Sequence, residues 1–234
     1  LAENTALMDE KCMNKHTGAP VTALVCMHAL GHPADLDKLT AVCKKYKLLL
    51  VEDAAESLGS YYKGRHTGND GIISSLSFNG NKILTTGGGG AILTNDCELA
   101  VKAKHLSTTA KTPHAWEFNH DEVGYNYRMP NVNAALGCAQ LEQMPHFLET
   151  KRALTNKYIE LFDELDGLNL LQEPDYARSN YWLNAIVLDE EISHNTEALF
   201  ALTNETGLMT RALWTPMHKL TMFEKCPRMD LSVT

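Results

Sequence analysis

The first hundred residues alternate short apolar runs with amphipathic stretches. Residues 22–27 are mostly apolar and partly β-branched, which predicts a buried strand. Residues 48–51 are apolar throughout, as in a parallel strand that is covered on both faces. Between them, after a helix cap predicted at Asp35, apolar residues recur at helical spacing: Leu36, Leu39, Val42, Cys43 and Tyr46. This unit predicts two parallel strands joined by a right-handed crossover.

Two more strands and a helix follow in the pattern. Residues 73–78 and 91–94 predict strands, and residues 63–65 predict a tight turn before them. Asn95 and Glu98 match a capping box for a helix that ends at Leu106. The amino-terminal part therefore predicts an α/β domain with a mainly parallel sheet flanked by helices.

The rest of the chain has a different pattern. Residues 130–167 are helical in period, with a break or kink predicted at Pro145 and a C-cap at Gly167. The pattern then predicts strands at 169–171, 182–188 and 209–213, and a helix at 197–206. We place a domain boundary near Pro145, so that residues 1–145 form a large domain and residues 146–234 a smaller α+β domain.

Composition narrows the classes of protein. The net charge of −8, without a basic stripe, argues against general nucleic-acid binding. No apolar run approaches the roughly 20 residues that span a bilayer, and no metal-ligand spacing is evident around His28 and His32. Six scattered cysteines lack a C-x-x-C pair, and most lie inside apolar periodic segments, which predicts reduced core thiols in a cytoplasmic protein: Cys12, Cys26, Cys43, Cys97, Cys138 and Cys226.

Asp53 stands where the second strand ends. Open α/β sheets bind ligands beyond the carboxyl ends of their strands, so Glu52 and Asp53 are candidate ligand contacts. A carboxylate there can hydrogen-bond a protonated heteroaromatic nitrogen and keep it charged. The alternative is that Asp53 caps a helix starting at Ala54, and from Asp53 alone we favour that alternative.

Lys82 follows the next strand, in the segment SFNGNK. A lysine held close to backbone and away from water loses its proton more easily, so its amine can form a Schiff base. The commoner alternative is a solvated loop lysine. Ser77 offers a hydroxyl that can bind a phosphate oxygen, or one that only bonds its own backbone at the strand end.

Two glycine- or arginine-containing tracts are further candidates. Residues 87–90 are all glycine, but the run is neither G-x-G-x-x-G before a helix nor a P-loop. We expect these glycines to let the backbone turn sharply and pass close to a ligand or another chain. The tract around Asn126 and Arg128 is either a surface loop or an anion-binding element, since arginine pairs bidentately with carboxylate or phosphate.

Four segments in this order and spacing resemble one family. VEDAAES, YYKGRHTG, SLSFNGNKILTTGGGGAILTND and GYNYRMPNVNAALGCAQLE are similar to segments of the DegT/DnrJ/EryC1/StrS sugar aminotransferases, over nearly the whole chain. The motifs NGNK, GGGG and RSNYWLNA most resemble those of the branch acting in legionaminic acid and related amino-sugar biosynthesis. The resemblance implies the aspartate-aminotransferase fold (fold type I) and the cofactor pyridoxal 5′-phosphate (PLP).

The resemblance also implies a role for each matching residue. Asp53 would bind the pyridine nitrogen, Lys82 would be the Schiff-base lysine, and Ser77 would bind the cofactor phosphate. Asn126 would reach across a homodimer interface to the phosphate of the other subunit's cofactor. Arg128 would bind the carboxylate of the amino donor. The sugar pocket would draw on residues further along: Arg178, Asn180, Tyr181 and His218.

Two departures from the family pattern matter. Glu56 stands where many members have a glutamine that bonds the ring hydroxyl oxygen, so a carboxylate there would have to share a proton. The chain also starts at Leu1 without methionine, lacks the family's amino-terminal phosphate cradle and ends in what reads as an unfinished segment. We expect a fragment with a partial large domain and a partial small domain.

The implied activity is transfer of an amino group from glutamate to a nucleotide-linked keto-deoxy sugar in cell-surface polysaccharide biosynthesis. Related sugar dehydratases carry histidine at the position of Lys82, so the lysine favours the aminotransferase. Two alternatives stay open: a non-catalytic nucleotide-binding or regulatory module, and an inactive fragment.

Overall fold

The computed structural model describes residues 1–231. It divides into two compact units, one of Leu1–Val187 and one from Leu188 onward. The first unit opens with a small antiparallel sheet of three strands: β1 (Thr5–Met8), β2 (Lys11–Asn14) and β3 (Pro20–Val21).

The predicted strand–helix–strand unit is confirmed. β4 (Ala23–Met27) and β5 (Leu49–Asp53) pair in parallel, and α1 (Leu36–Tyr46) connects them. The side chain of Asp35 caps α1 by accepting the Lys38 N–H at 3.2 Å.

A short hairpin separates this unit from the rest of the sheet. β6 (Tyr61–Tyr62) and β7 (Arg65–His66) are joined through Lys63 and Gly64, which both have positive φ, so the predicted tight turn is confirmed. β8 (Ile73–Ser77) and β9 (Gly90–Leu93) then complete a central four-stranded sheet in the order β4-β5-β8-β9. β8 runs parallel to β5, and β9 runs antiparallel to β8.

The two faces of the central sheet differ in burial. One face packs on a core that includes Leu36, Cys43 and Leu50. The other, which we call the open face, carries four exposed apolar side chains: Val25 (67% exposed), Met27 (56%), Leu49 (51%) and Ile92 (52%).

The helical region begins after β9. α2 (Cys97–Ser107) is capped by Asp96, which accepts the N–H groups of Glu98 and Leu99, so the predicted cap at Asn95 is wrong by one residue. α3 (Asn131–Glu142) and α4 (Met144–Phe162) follow. Pro145 lies in the first turn of α4, where its missing N–H costs nothing, and the predicted break falls at Gln143.

The compact units do not divide at the predicted boundary near Pro145. Side chains of α4 bond forward into the residues that follow: Arg152 with Glu173 and Ser179, and Thr155 with Asn184. These bonds keep residues 146–187 in the first unit, which ends at Val187.

The last strands are short. β10 (Leu168–Leu170) pairs with β12 (Ile186–Leu188), and β11 (Ala177–Arg178) joins the hairpin as the neighbour of β6. The predicted strand at 182–188 is therefore limited to its last three residues.

The second unit has helix α5 (Thr196–Glu205), close to the predicted bounds, and short 3-10 turns at Ser193–Asn195, Met217–Lys219 and Thr221–Phe223. Residues 209–213 form no strand in the structure, so that prediction is wrong. None of residues 188–231 is buried. Across residues 1–231, no helix is both long and apolar enough to cross a bilayer.

Candidate active site

The register of the central sheet places Asp53 and Ser77 on the open face. Asp53 is paired with Met27 on one side and with Ser75 on the other, and Ser75 is paired with Ile92. Side chains two residues apart on a strand share a face, so Ser77 lies on the same side of the sheet as Asp53. A carboxylate and a hydroxyl thus share the carboxyl ends of two neighbouring parallel strands.

Asp53 does not cap a helix. One carboxylate oxygen accepts the N–H of Ala55 at 3.1 Å, and residues 54–60 form turns. This short-range bond orients the carboxylate through Oδ1 and does not involve Oδ2. The helix-cap alternative is therefore wrong.

Lys82 is brought to Glu56 across 26 residues of sequence. The Lys82 amine lies 3.7 Å from Oε1 of Glu56, and each side chain is only 13% exposed. The other carboxylate oxygen of Glu56 accepts the Leu30 N–H at 2.7 Å. The alternative of a solvated loop lysine is therefore wrong: the amine is sheltered and faces a fixed carboxylate.

An indole ring completes the surroundings of the amine. The Lys82 nitrogen lies 3.9 Å from the centre of the Trp182 ring, and Trp182 is 2% exposed. The indole N–H of Trp182 donates to the carbonyl of Asn81 at 2.6 Å. Sequence reasoning missed this residue, because one hundred positions separate it from Lys82 and no local pattern links the two.

Asn180 ties this indole segment to the loop after β5. Its amide nitrogen donates to the carbonyls of Glu56 and Leu58, each at 2.9 Å, and its amide oxygen accepts the Trp182 N–H at 2.8 Å. Asn180 is fully buried in the structure, and its predicted place in a sugar pocket stays a prediction. Its side chain holds the backbone around Glu56.

A buried pair supports β5 from its covered face. Glu52 accepts the Nε2 proton of His28 at 2.9 Å and the N–H groups of Gly68, Asp70 and Gly71. Burial alone would raise the pKa of Glu52, but these hydrogen bonds outweigh it and hold that pKa below its usual value. Glu52 is therefore an ionised structural carboxylate and not a ligand contact.

Ser77 and the glycine run form the wall beside β8. The Asn79 N–H donates to the Ser77 hydroxyl oxygen at 3.3 Å, which leaves the hydroxyl hydrogen available to another acceptor. Gly89 has φ of +101°, and a Cβ on Gly90 would clash with the Leu76 carbonyl oxygen. The expected sharp turn is present, and the backbone at Gly90 approaches strand β8 closely. The expected approach to a ligand or another chain stays a prediction.

Asn126 and Arg128 are exposed. Asn126 forms an isolated bridge with Thr108, which fixes the tract against the end of α2. Arg128 lines a cavity of about 840 Å³ together with Ser75, Ile92 and Lys104. Since Ser75 and Ile92 belong to the open-face row of Asp53, the cavity reaches from Arg128 to that row.

The fold matches that of known enzymes. PseC of Helicobacter pylori, an aminotransferase involved in the biosynthesis of pseudoaminic acid, aligns with a TM-score of 0.84 at 23% identity, over 88% of this chain and 56% of PseC. The architecture is thus that of the fold type I PLP-dependent transferases. Residues 2–233 match the model of the DegT/DnrJ/EryC1/StrS aminotransferase family, and the chain belongs to that family.

Two curated relatives show what share of a family member's length this chain covers. EpsN of Bacillus subtilis (strain 168), named as a pyridoxal phosphate-dependent aminotransferase, is 36% identical over 210 residues, 90% of this chain and 53% of EpsN. GDP-perosamine synthase of Escherichia coli O157:H7 is 34% identical over 218 residues, 93% of this chain and 57% of that enzyme. The chain therefore spans about half the length of these relatives.

Proposed function

We propose that the protein carrying this chain is a PLP-dependent sugar aminotransferase. It moves an amino group from glutamate to the keto group of a nucleotide-linked deoxy sugar used in polysaccharide biosynthesis. The observation that carries the proposal is the sheltered Lys82 amine beside Glu56, beyond strands whose open face bears Asp53. The amino-sugar products named for relatives such as GDP-perosamine synthase support the substrate class.

The residues present fit the cofactor. Lys82 supplies an amine for covalent attachment, and Asp53 supplies a carboxylate for the ring nitrogen. Ser77 supplies a hydroxyl for the phosphate on the same face as Asp53. When bound, pyridoxal phosphate supplies an electron-withdrawing ring that stabilises negative charge on the substrate carbon.

Three side chains of the chain have separate proposed roles in the reaction. Asp53 would accept a hydrogen bond from the protonated ring nitrogen and favour that proton. The Lys82 amine would act as the general base that removes a proton from the substrate carbon and as the general acid that delivers it. Glu56, held by the Leu30 N–H, would hydrogen-bond the ring hydroxyl oxygen in place of the family's common glutamine.

Two residues serve binding and assembly. Arg128, exposed on the wall of the large cavity, binds the carboxylate of the amino donor. Asn126 would bind the phosphate of the cofactor held by a second subunit, so the proposed enzyme is a homodimer with the active site at the subunit interface. Its proposed location is the cytoplasm.

Lys82→Ala tests the proposal in the longest protein that carries this chain. We expect loss of the visible absorbance that PLP acquires on the protein and loss of amino transfer from glutamate to a panel of GDP-, UDP- and dTDP-linked keto sugars. Lys44→Ala is the matched control, because Lys44 is exposed on α1. Wild-type turnover in Lys82→Ala would contradict the proposal, and binding of nucleotides without PLP would favour a non-catalytic module.

A further inference from the structure

We propose that Trp182 is a positioning residue for Lys82, holding both the amine and the backbone that carries it. The inference rests on the proposed function of Lys82. Its geometric part, the contact between the indole and the amine, is measurable without any cofactor.

The first contact is between the amine and the ring. An ammonium within about 6 Å of an aromatic centroid is attracted by the ring's negative face, and tryptophan is the strongest such partner. Here the distance is 3.9 Å, the ring is 2% exposed and the lysine side chain 13% exposed, so little water screens the attraction. Glu56 lies 3.7 Å from the same nitrogen, which therefore has a carboxylate and a ring as neighbours.

The second contact fixes the start of the same side chain. The Trp182 indole N–H donates to the carbonyl of Asn81 at 2.6 Å, one residue before Lys82. One rigid ring system therefore holds the backbone next to Lys82 and also meets its terminal nitrogen. This limits the rotamers that the four-carbon side chain can adopt.

Trp182 is itself held from two sides. The side chain of Asn180 accepts the backbone N–H of Trp182 at 2.8 Å and donates to the Glu56 carbonyl at 2.9 Å. The amine of Lys151 donates to the Trp182 carbonyl at 3.1 Å, and burial lowers the pKa of Lys151. The segment from Asn180 to Trp182 therefore sets the positions of Glu56 and Lys82 together.

The ring face suits this task chemically. An aromatic face attracts an ammonium without accepting a directed hydrogen bond, so it holds the nitrogen and leaves its protons available. A second carboxylate at the same place would compete with Glu56 and with an incoming carbonyl. The ring thus orients the amine and leaves its hydrogen-bond donors available.

The contact is tested by nuclear magnetic resonance after reductive ¹³C-methylation of the lysines, which keeps their charge. The ring current of Trp182 will shift the Lys82 methyl signal upfield, with Lys82→Ala providing the assignment. Trp182→Leu will move the signal to the position of exposed lysines, and Trp182→Phe will leave it upfield. Lys111, 3.9 Å from the centre of the Phe118 ring, is the internal control and will not move. An unshifted wild-type signal overturns the proposal.

The functional part is tested by the rate at which PLP is trapped on Lys82 by borohydride, read by peptide mass spectrometry. We expect Trp182→Leu to slow trapping about tenfold and Trp182→Phe to stay within about threefold of wild type. Trp116→Phe, at a 79% exposed position, will match wild type. Equal rates in Trp182→Leu and wild type overturn the proposal.

Two controls separate the possible failures. If the wild-type protein traps no PLP on Lys82, the proposed function fails, whereas the methyl shift still decides the contact. If circular dichroism shows Trp182→Leu unfolded, the comparison passes to Trp182→Met, which keeps an apolar side chain without a ring. A methyl signal that stays upfield in that variant also overturns the proposal.

Discussion

The Nε2 proton of His28 is donated to the carboxylate of Glu52 at 2.9 Å, and both side chains are fully buried. The Ala34 N–H donates to the other ring nitrogen, Nδ1, so the hydrogen bonds assign the ring proton to Nε2. Because neighbouring strand residues point to opposite faces, Glu52 serves the core and Asp53 serves the open face. Two adjacent carboxylates therefore have separate roles, one structural and one proposed for the cofactor.

Glu52→Gln will destabilise the protein by about 3 kcal/mol, because the new amide group places N–H donors against N–H donors in a closed site. The measurement is urea unfolding at pH 7, followed by circular dichroism. Asp53→Asn is the matched control and will change stability by less than about 1 kcal/mol, since an amide oxygen can still accept the Ala55 N–H. Equal stability of both variants would contradict the structural role of Glu52.

The same carboxylate predicts an acid dependence. The pKa of Glu52 in the folded chain lies below its usual value near 4.5. Its stabilising contribution is therefore complete above pH 4.5 and is lost as the pH falls through the lower, folded pKa. Urea midpoints measured between pH 7 and pH 3 will fall more steeply for the wild type than for Glu52→Gln. Parallel curves would show that Glu52 is not ionised in the fold.

Two substitutions of Glu56 distinguish the effect of its hydrogen bond from the effect of its charge in the proposed site. Glu56→Gln keeps an acceptor for the Leu30 N–H and restores the residue common in the family, so PLP affinity will stay within about threefold. Glu56→Ala removes the acceptor and leaves a buried N–H unpaired, which will weaken PLP binding about tenfold. Spectroscopic titration with PLP measures both. Equal weakening in Glu56→Gln and Glu56→Ala would show that the charge, which both variants remove, is what matters.

The cysteines offer a check on the fold that needs no cofactor. A thiol reagent at pH 8 will label three cysteines quickly and the other three only after denaturant is added. Burial, followed by the charge of Glu52, raises the pKa of the Cys26 thiol to about 11, so little thiolate forms there. Rapid labelling of Cys26 would show that the core is open. The exposed set is Cys97, Cys138 and Cys226, and the buried set is Cys12, Cys26 and Cys43.

Local chemistry made the β4–α1–β5 unit predictable. The cap at Asp35 and the apolar spacing behind it encode the helix by themselves, and the structure has both. The cap of α2 was missed by one residue because Asn95 and Asp96 are both good capping residues and sequence alone does not choose between them. The strand expected at 209–213 needs a partner and a core, and none of residues 188–231 is buried.

The site was predictable only in part, because some of its contacts depend on tertiary packing. Asp53 ends one strand and Lys82 follows another, so their places at the carboxyl ends come from local pattern and family resemblance. The meeting of Lys82 with Trp182 depends on the segment around Asn180 folding back onto the loop after β5. Such a contact is set by tertiary packing, which no spacing rule records.

The open face also determines how the isolated chain will behave in solution. Val25, Met27, Leu49 and Ile92 form a water-facing apolar surface on a sheet whose outer strands, β4 and β9, still have unpaired backbone edges within residues 1–231. Such surfaces promote self-association and the binding of hydrophobic dyes. Purification of the chain by itself will therefore favour dilute samples and mild detergents, and a larger recombinant product that shields this sheet will be easier to concentrate.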